Sequence, residues 1–304
     1  MRWGGAFIAS GAYTCVYFPQ VQCVEGTQVP PEIPPGVYVS RITSKDTPEL
    51  ENQKHVKAAI QLIPEEYRRH FNLAVAVGTP NFKESDLGTP CPIFNPVIGP
   101  NPEKINFITP KQDKDFKDDA NRRETAEQLQ KLFHAVAFLN EQGIVHGDIH
   151  DSNVSWMGDY LVLHDWGQTF IGSDGIKRAL DDQYFERNHL QDLFENCTIV
   201  LAEDASPETL LRYIKFFDIV NMLYELNLNK YVGQENVTNF INALNGVWKN
   251  TDDIPLNDVS RRIHNGIDTL LFRKGGGKRN KTRRIARKIR GRKRLTRNKK
   301  VHRR

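Results

Sequence analysis

Apolar and polar positions follow two different rhythms along this chain. Over the first hundred residues the apolar stretches are short, rich in β-branched and aromatic residues, and cut off by turn formers. Ala6-Phe7-Ile8, Cys15-Val16-Tyr17-Phe18, Val37-Tyr38-Val39-Ser40-Arg41-Ile42 and Ile105-Asn106-Phe107-Ile108 therefore predict the strands of a small sheet. One helix is predicted among them. Asp46-Thr47-Pro48-Glu49 combines a capping residue, an early proline and a first-turn acid, and the helix it opens runs to about Ile63, ahead of Pro64.

Beyond Pro110 the spacing turns helical. Leu129, Leu132, Phe133, Val136 and Leu139 share one face from about residue 124 onward, and Gly143 supplies the stop signal. Val154-Ser155-Trp156 and Tyr160-Leu161-Val162-Leu163 flank Met157-Gly158-Asp159 and predict a tight hairpin. Helical spacing returns over residues 208–226 and 237–248, and no internal repeat is visible. The pattern is that of an α+β protein, with the stretch IVHGDIHDSN (residues 144–153) as the loop between a long helix and a hairpin.

Charge divides the chain in a different way. Residues 273–304 hold 18 of the 42 Lys and Arg and none of the 37 acids, so the preceding 272 residues carry 24 basic against 37 acidic side chains, a net of −13. So dense a run of like charge cannot build a core and is expected to be disordered alone. It suits nuclear or nucleolar targeting, or binding to nucleic acid, acidic proteins or membrane surfaces. The absence of aromatic residues after Phe272 favours sequence-blind phosphate contact over base stacking. Cys15, Cys23, Cys91 and Cys197 form no CxxC pair, which argues against zinc and for reduced thiols in an intracellular protein. The N-terminal MRWGGAFIASGAYTCVYF is too interrupted by glycine and polar residues for a signal-peptide core, and no run approaches the roughly 18 apolar residues of a membrane span.

Three polar features invite a common chemistry. Residues 144–153 contain His146, Asp148, His150, Asp151 and Asn153; the hairpin folds His164-Asp165-Trp166-Gly167 back beside them; and residues 8–16, IASGAYTCV, form a glycine-bearing strand-turn-strand. Phosphoryl transfer from a nucleotide needs one carboxylate to orient the accepting hydroxyl, a second carboxylate and an amide oxygen for magnesium, and a flexible turn over the phosphates.

On these residues the chain resembles the eukaryotic-type protein kinases. HGDIHDSN matches the catalytic-loop pattern HxDxxxxN, DWG stands where the family has Asp-Phe-Gly, and YVSRI is similar to the strand that carries the nucleotide-binding Lys. The Pro-rich N-terminal half and basic C-terminus look most like the divergent Ser/Thr kinases of large DNA viruses, and the resemblance spans about residues 3–225. It implies a two-lobed fold, with a small β-rich lobe over residues 1–108, a hinge near Thr109-Pro110-Lys111, a helical lobe over residues 109–272 and the tail over residues 273–304. It implies ATP and magnesium as cofactors and a protein Ser or Thr hydroxyl as acceptor. Asp148 then serves as the catalytic carboxylate, Asn153 and Asp165 hold magnesium, and Gly11, Val16, Arg41, Glu51 and Thr109 line the nucleotide site. His146 becomes a scaffold residue, Asp218 a candidate cap for the loop backbone or an exposed helical acid, and His150 and Asp151 loop supports.

The departures are specific. Arg41 stands at the position of the family's Lys, with Lys45 as a nearby alternative, and either Glu51 or Glu49 is available as its helix partner. Gly147 replaces the Arg that pairs with a phosphorylated activation segment, so activity is expected not to depend on such phosphorylation. Three other readings stay open: a pseudokinase scaffold, a small-molecule kinase of the aminoglycoside or choline type, which also writes this loop HGDxH, and a metallophosphoesterase opening Gly147-Asp148-Ile149-His150. A self-bonded turn would be the default for any one of these loop residues alone, and the joint match with DWG and the hairpin weighs against it.

Overall fold

The structure, a computed structural model, describes residues 6–10, 14–21, 23–26, 37–81, 103–118, 121–181, 212, 217–248 and 254–271. Strands β1 (Ala6–Ser10), β2 (Cys15–Phe18), β3 (Cys23–Gly26), β4 (Tyr38–Ser44), β5 (Ala76–Pro80) and β6 (Lys104–Pro110) form one sheet. Its order is β1-β2-β4-β6-β5-β3, and every pairing is antiparallel. Side chains alternate between the two faces of a strand, so β4 can serve two environments at once. Ile42 packs with Cys15, Tyr17 and Val21 in a buried cluster on one face. Arg41, one residue earlier and opposite Val16 and Phe107, points to the other.

Helix α1 (Glu49–Ile60) lies on that other face. Its entry is set by Thr47, whose hydroxyl accepts the Glu49 N–H at 3.3 Å, and by Pro48. Val56, Ala59 and Ile60 bury into the main core, which they share with Leu129, Leu132, Phe133 and Val136 of α3 (Arg122–Glu141). Between them lies one short turn of helix, α2 (Glu65–Arg68). Helix α3 starts as the periodicity requires. The Asn121 side chain caps it by accepting the Glu124 N–H, and Gly143 at φ +75° turns the chain out of its far end.

From there the backbone is tied down in short ladders. β7 (Lys114–Asp115) pairs with β9 (Val154–Met157), and β9 with β10 (Tyr160–Leu163); Gly158, at φ +62°, occupies the first turn position between Met157 and Tyr160. β8 (Ile144–Val145) pairs with β11 (Phe170–Ile171), which brings the chain on either side of the hairpin together. Helices α4 (Gly172–Asp181), α5 (Phe217–Glu225), α6 (Asn229–Val232), α7 (Gln234–Trp248) and α8 (Leu256–Asp268) complete the described chain. α8 buries Val259, Ile263 and Ile267 against α3 and α7.

The mixed α+β character agrees with the sequence pattern, with four differences. β3, β5, β7, β8, β11, α2, α4, α6 and α8 were not expected. β6 continues through Pro110, with Thr109 buried and paired to Val39, so the sheet ends after Pro110 and a boundary at residue 108 would cut a strand. α1 stops at Ile60, short of Ile63. Cys15 is disulfide-bonded, which corrects the expectation of reduced thiols at that position; Cys23 is buried, and its sulfur accepts the Asn106 side-chain amide at 3.7 Å. No helix among the described residues is long and apolar enough to cross a membrane. Gly11, the tail and most of residues 208–216 lie outside the described residues.

Candidate active site

The loop after β8 is held from below by one buried acid. Asp218 on α5 is fully buried and accepts the backbone N–H of His146 at 2.7 Å and of Gly147 at 3.0 Å. It also accepts the Asn140 side-chain amide at 2.8 Å, and that amide in turn donates to the Ile144 carbonyl at 2.8 Å. Burial pushes the Asp218 carboxyl above its ordinary range, while His146 and the N–H donors favour the ionised form. Of the two roles open to Asp218 in the sequence, the structure shows the cap.

Gly147 can adopt its φ of +81° without strain, and a Cβ there would meet the Gln168 carbonyl at 2.7 Å and the Phe170 ring at 2.8 Å. Glycine is therefore required sterically where the kinase pattern has Arg. His146 is buried; its Nε2 lies 3.1 Å from the His164 carbonyl and its Nδ1 accepts the Asp148 N–H at 3.3 Å. Those partners assign the neutral Nε2–H tautomer, and burial, the largest influence, holds its pKa below the ordinary histidine value. The ring also meets Trp166 edge-on at 4.8 Å.

Asn153 folds back on the loop, donating to the Asp148 carbonyl at 2.8 Å and lying 3.4 Å from its carboxylate. Its side-chain oxygen is thereby turned away from Asp148. His150 and Asp151 act as supports: His150 Nδ1 accepts the Ser152 N–H at 3.2 Å, and Asp151 pairs with Lys117 at 2.6 Å. His150 Nε2 also comes within 3.9 Å of Asp148. Among the described residues no group of three or more His, Cys, Asp and Glu converges as a metal cage.

Across the hairpin, Asp165 has φ +69°, a left-handed conformation that costs a non-glycine residue about 1–3 kcal/mol. The next residue holds it there. Trp166 is fully buried, its indole N–H donates to the Asn72 carbonyl at 3.0 Å, and its own carbonyl accepts from Asn52 of α1 at 2.8 Å. Packing against Phe71 and His146 locks the ring, so Asp165 is left facing outward with nearly half of its side chain exposed.

Arg41 closes the site from the sheet. Its Nη1 contacts Glu49 at 2.8 Å and its Nη2 approaches Asp165 at 3.5 Å. Burial works against the guanidinium, but Glu49 and Asp165 outweigh it and raise its pKa above the ordinary value. Glu49 is buried and also accepts from Gln53 at 2.9 Å. The helix partner of Arg41 is thus Glu49, and Glu51 is corrected: it is exposed, paired with Lys54 at 2.8 Å. Two residues apart on a helix means roughly 200° apart around it, so the two acids cannot share a face. Lys45 offers no substitute, being largely exposed and bonded to Glu103 at 2.6 Å.

Asp148 and Asp165 open onto one cleft of about 500 Å³, shared with Thr14 just before β2, Thr43, Glu49 and Gln168. Val16 is partly buried and sits opposite Arg41 in the sheet, whereas Thr109 is buried within β6; neither lines this cleft. Asn72, Asn52, Asn140 and Gln53, which position the site's reactive groups, carry no motif and were not foreseen. No family model matches the chain, and no curated protein matches it.

Proposed function

We propose that this protein is a phosphotransferase of the protein-kinase type, with a sheet-rich lobe above a helical lobe, that moves phosphate from ATP to Ser or Thr hydroxyls of proteins. The observation that carries the reading is the convergence of Asp148 and Asp165 on one cleft, with Asn153 bonded to the Asp148 carbonyl and the Arg41–Glu49 pair at its edge. The donor set fits magnesium. Asp165 offers an outward carboxylate and Asn153 an amide oxygen, the hard oxygen ligands that Mg²⁺ takes alongside water and nucleotide phosphates. Bound there, the magnesium–ATP complex supplies the phosphoryl group and screens its charge. Asp148, on a loop fixed by Asp218 and His146, orients the acceptor hydroxyl and takes its proton. Transfer of labelled phosphate to peptide acceptors, with sugars and amino alcohols as comparison acceptors, tests the reading.

One observation supports a second reading. Arg41 leans on Asp165 itself, so part of the metal site's charge is already matched by protein. A pseudokinase scaffold that keeps nucleotide and partner binding follows if this contact persists when nucleotide is bound.

The basic segment over residues 273–304 is proposed to recruit the protein to nucleic acid, since 18 cations without aromatic residues suit phosphate backbones of any sequence.

A further inference from the structure

A second groove, of about 420 Å³, runs between α1 and the strands β5 and β6. Leu50, Gln53, Lys54 and Lys57 line it from α1, at the i, i+3, i+4 and i+7 positions of a single helix face. The facing wall adds Val77 from β5 and Ile105 from β6, so the groove has an apolar floor. Lys45 and Lys104 stand at its strand side.

Four lysines thus border one small apolar depression. Lys45 and Lys54 hold Glu103 and Glu51 in exposed ion pairs, which are worth little in water and exchange readily. Lys57 makes no ion pair among the described residues. Lys57 is exposed, yet desolvation alone pulls its ammonium below the ordinary lysine value, and a carboxylate placed beside it would be matched by a charge that lacks one among the described residues. Among the described residues that line it, the groove has no aromatic side chain for a base to stack on, and its apolar floor offers nothing to a simple inorganic anion.

We propose that this groove docks an acidic peptide segment of a partner protein, its carboxylates meeting Lys54 and Lys57 and one apolar anchor side chain seated on Leu50, Val77 and Ile105. The groove also reaches the cleft by two bonds. Gln53 accepts the Ala74 N–H at 2.8 Å and donates to Glu49 at 2.9 Å, and Glu49 holds Arg41. A peptide pressed on this face of α1 therefore bears on the residue that orients the Arg41 pair. Docking itself is independent of the phosphoryl-transfer reading.

The test uses the full chain and a fluorescein-labelled nonapeptide of Glu and Asp with a central photoreactive benzoylphenylalanine. It is run at about 0.3 M salt, where the Debye length is near 6 Å and attraction to the basic tail is screened. Cross-links are expected within residues 50–57 and 77–79. Anisotropy is expected to show affinity falling about tenfold or more in the Lys54→Glu/Lys57→Glu variant, and similarly when glycine replaces the anchor. Both positions are exposed; a Lys54→Gln/Lys57→Gln variant with unchanged melting, expected to lose affinity in the same direction, separates lost docking from lost folding. Absence of binding, cross-links confined to residues 273–304, or an affinity untouched by either double variant would overturn the proposal.

Discussion

The buried carboxylate of Asp218 accepts the His146 N–H at 2.7 Å across 72 residues of chain, and with Gly147 and Asn140 it satisfies three donors at the base of the loop. Removing it leaves three donors without an acceptor, two of them buried and the Gly147 N–H half-buried, and each orphaned buried donor costs about 1–3 kcal/mol. Asp218→Ala is therefore expected to cost at least ~3 kcal/mol in urea unfolding, and Asp218→Asn, which keeps one acceptor oxygen, less. A change within about 0.5 kcal/mol, the range of an ordinary surface substitution, would show that the acid does not hold the loop.

Arg41 makes two contacts where a lysine would make one. Arg41→Ala leaves Glu49 buried without its cation and is expected to destabilise by about 3 kcal/mol, as breaking one side of a buried pair does. Arg41→Lys keeps a point charge for Glu49 but gives up the fork that also reaches Asp165. Nucleotide titration with and without magnesium should then show a larger magnesium effect in the lysine variant than in the wild type. An unchanged or smaller magnesium effect would mean that the Arg41–Asp165 contact does not compete with the metal.

Acid should weaken the fold through two of its histidines. His70 donates from Nδ1 to the Leu161 carbonyl at 2.7 Å while its Nε2 is buried without a partner, and burial pushes its pKa down to about 4. His164, half-buried, beside Arg41 and 3.0 Å from the Ser155 hydroxyl, is pushed down to about 3, first by desolvation and then by that arginine. Because both values lie below the unfolded value near 6.5, the unfolded chain binds the extra protons. Stability is full above about pH 6.5 and falls as pH drops toward the folded values. At ~1.4 kcal/mol per pKa unit, each histidine should remove about 2 kcal/mol at pH 5 relative to pH 7. Urea midpoints across that range check this, and a flat profile would contradict it.

The 18 cations of residues 273–304 carry a salt signature if they bind nucleic acid. Contact with about 6–10 phosphates should weaken binding by on the order of 10³–10⁵ between about 50 and 200 mM salt. Removal of residues 275–304 should abolish it. Salt-insensitive binding, or binding retained after truncation, would assign the interaction to another surface.

Much of this arrangement was legible before the structure. The strands around Cys15, Arg41 and Phe107, the long helix with its Gly143 end, and the hairpin follow from local periodicity and turn chemistry, which act within a few residues; the Asn121 cap was not anticipated. What escaped depends on distant partners. β5 is a short Ala-Val-Gly-Thr-Pro run that is a strand only because β6 and β3 pair with it. Glu49 and Glu51 look alike in sequence, and only the seating of α1 on the sheet turns one toward Arg41. The asparagines that anchor Trp166 and the loop lie far from the motif and bond to backbone, a role that many residue types fill. α8 was a missed signal: Pro255 and the four-residue spacing of Val259, Ile263 and Ile267 were available.

The central claim is that Asp148 and Asp165 act together on a phosphoryl group in one cleft. Labelled-phosphate transfer from magnesium–ATP by the wild type, Asp148→Asn and Asp165→Asn tests it most directly, with nucleotide binding measured in parallel. Wild-type protein is expected to transfer phosphate, Asp148→Asn to fall by about 10²–10⁴ with nucleotide binding retained, and Asp165→Asn to lose magnesium-dependent binding. Wild-type protein that binds nucleotide without transferring phosphate to any acceptor, or an Asp148→Asn variant as active as wild type, would contradict it.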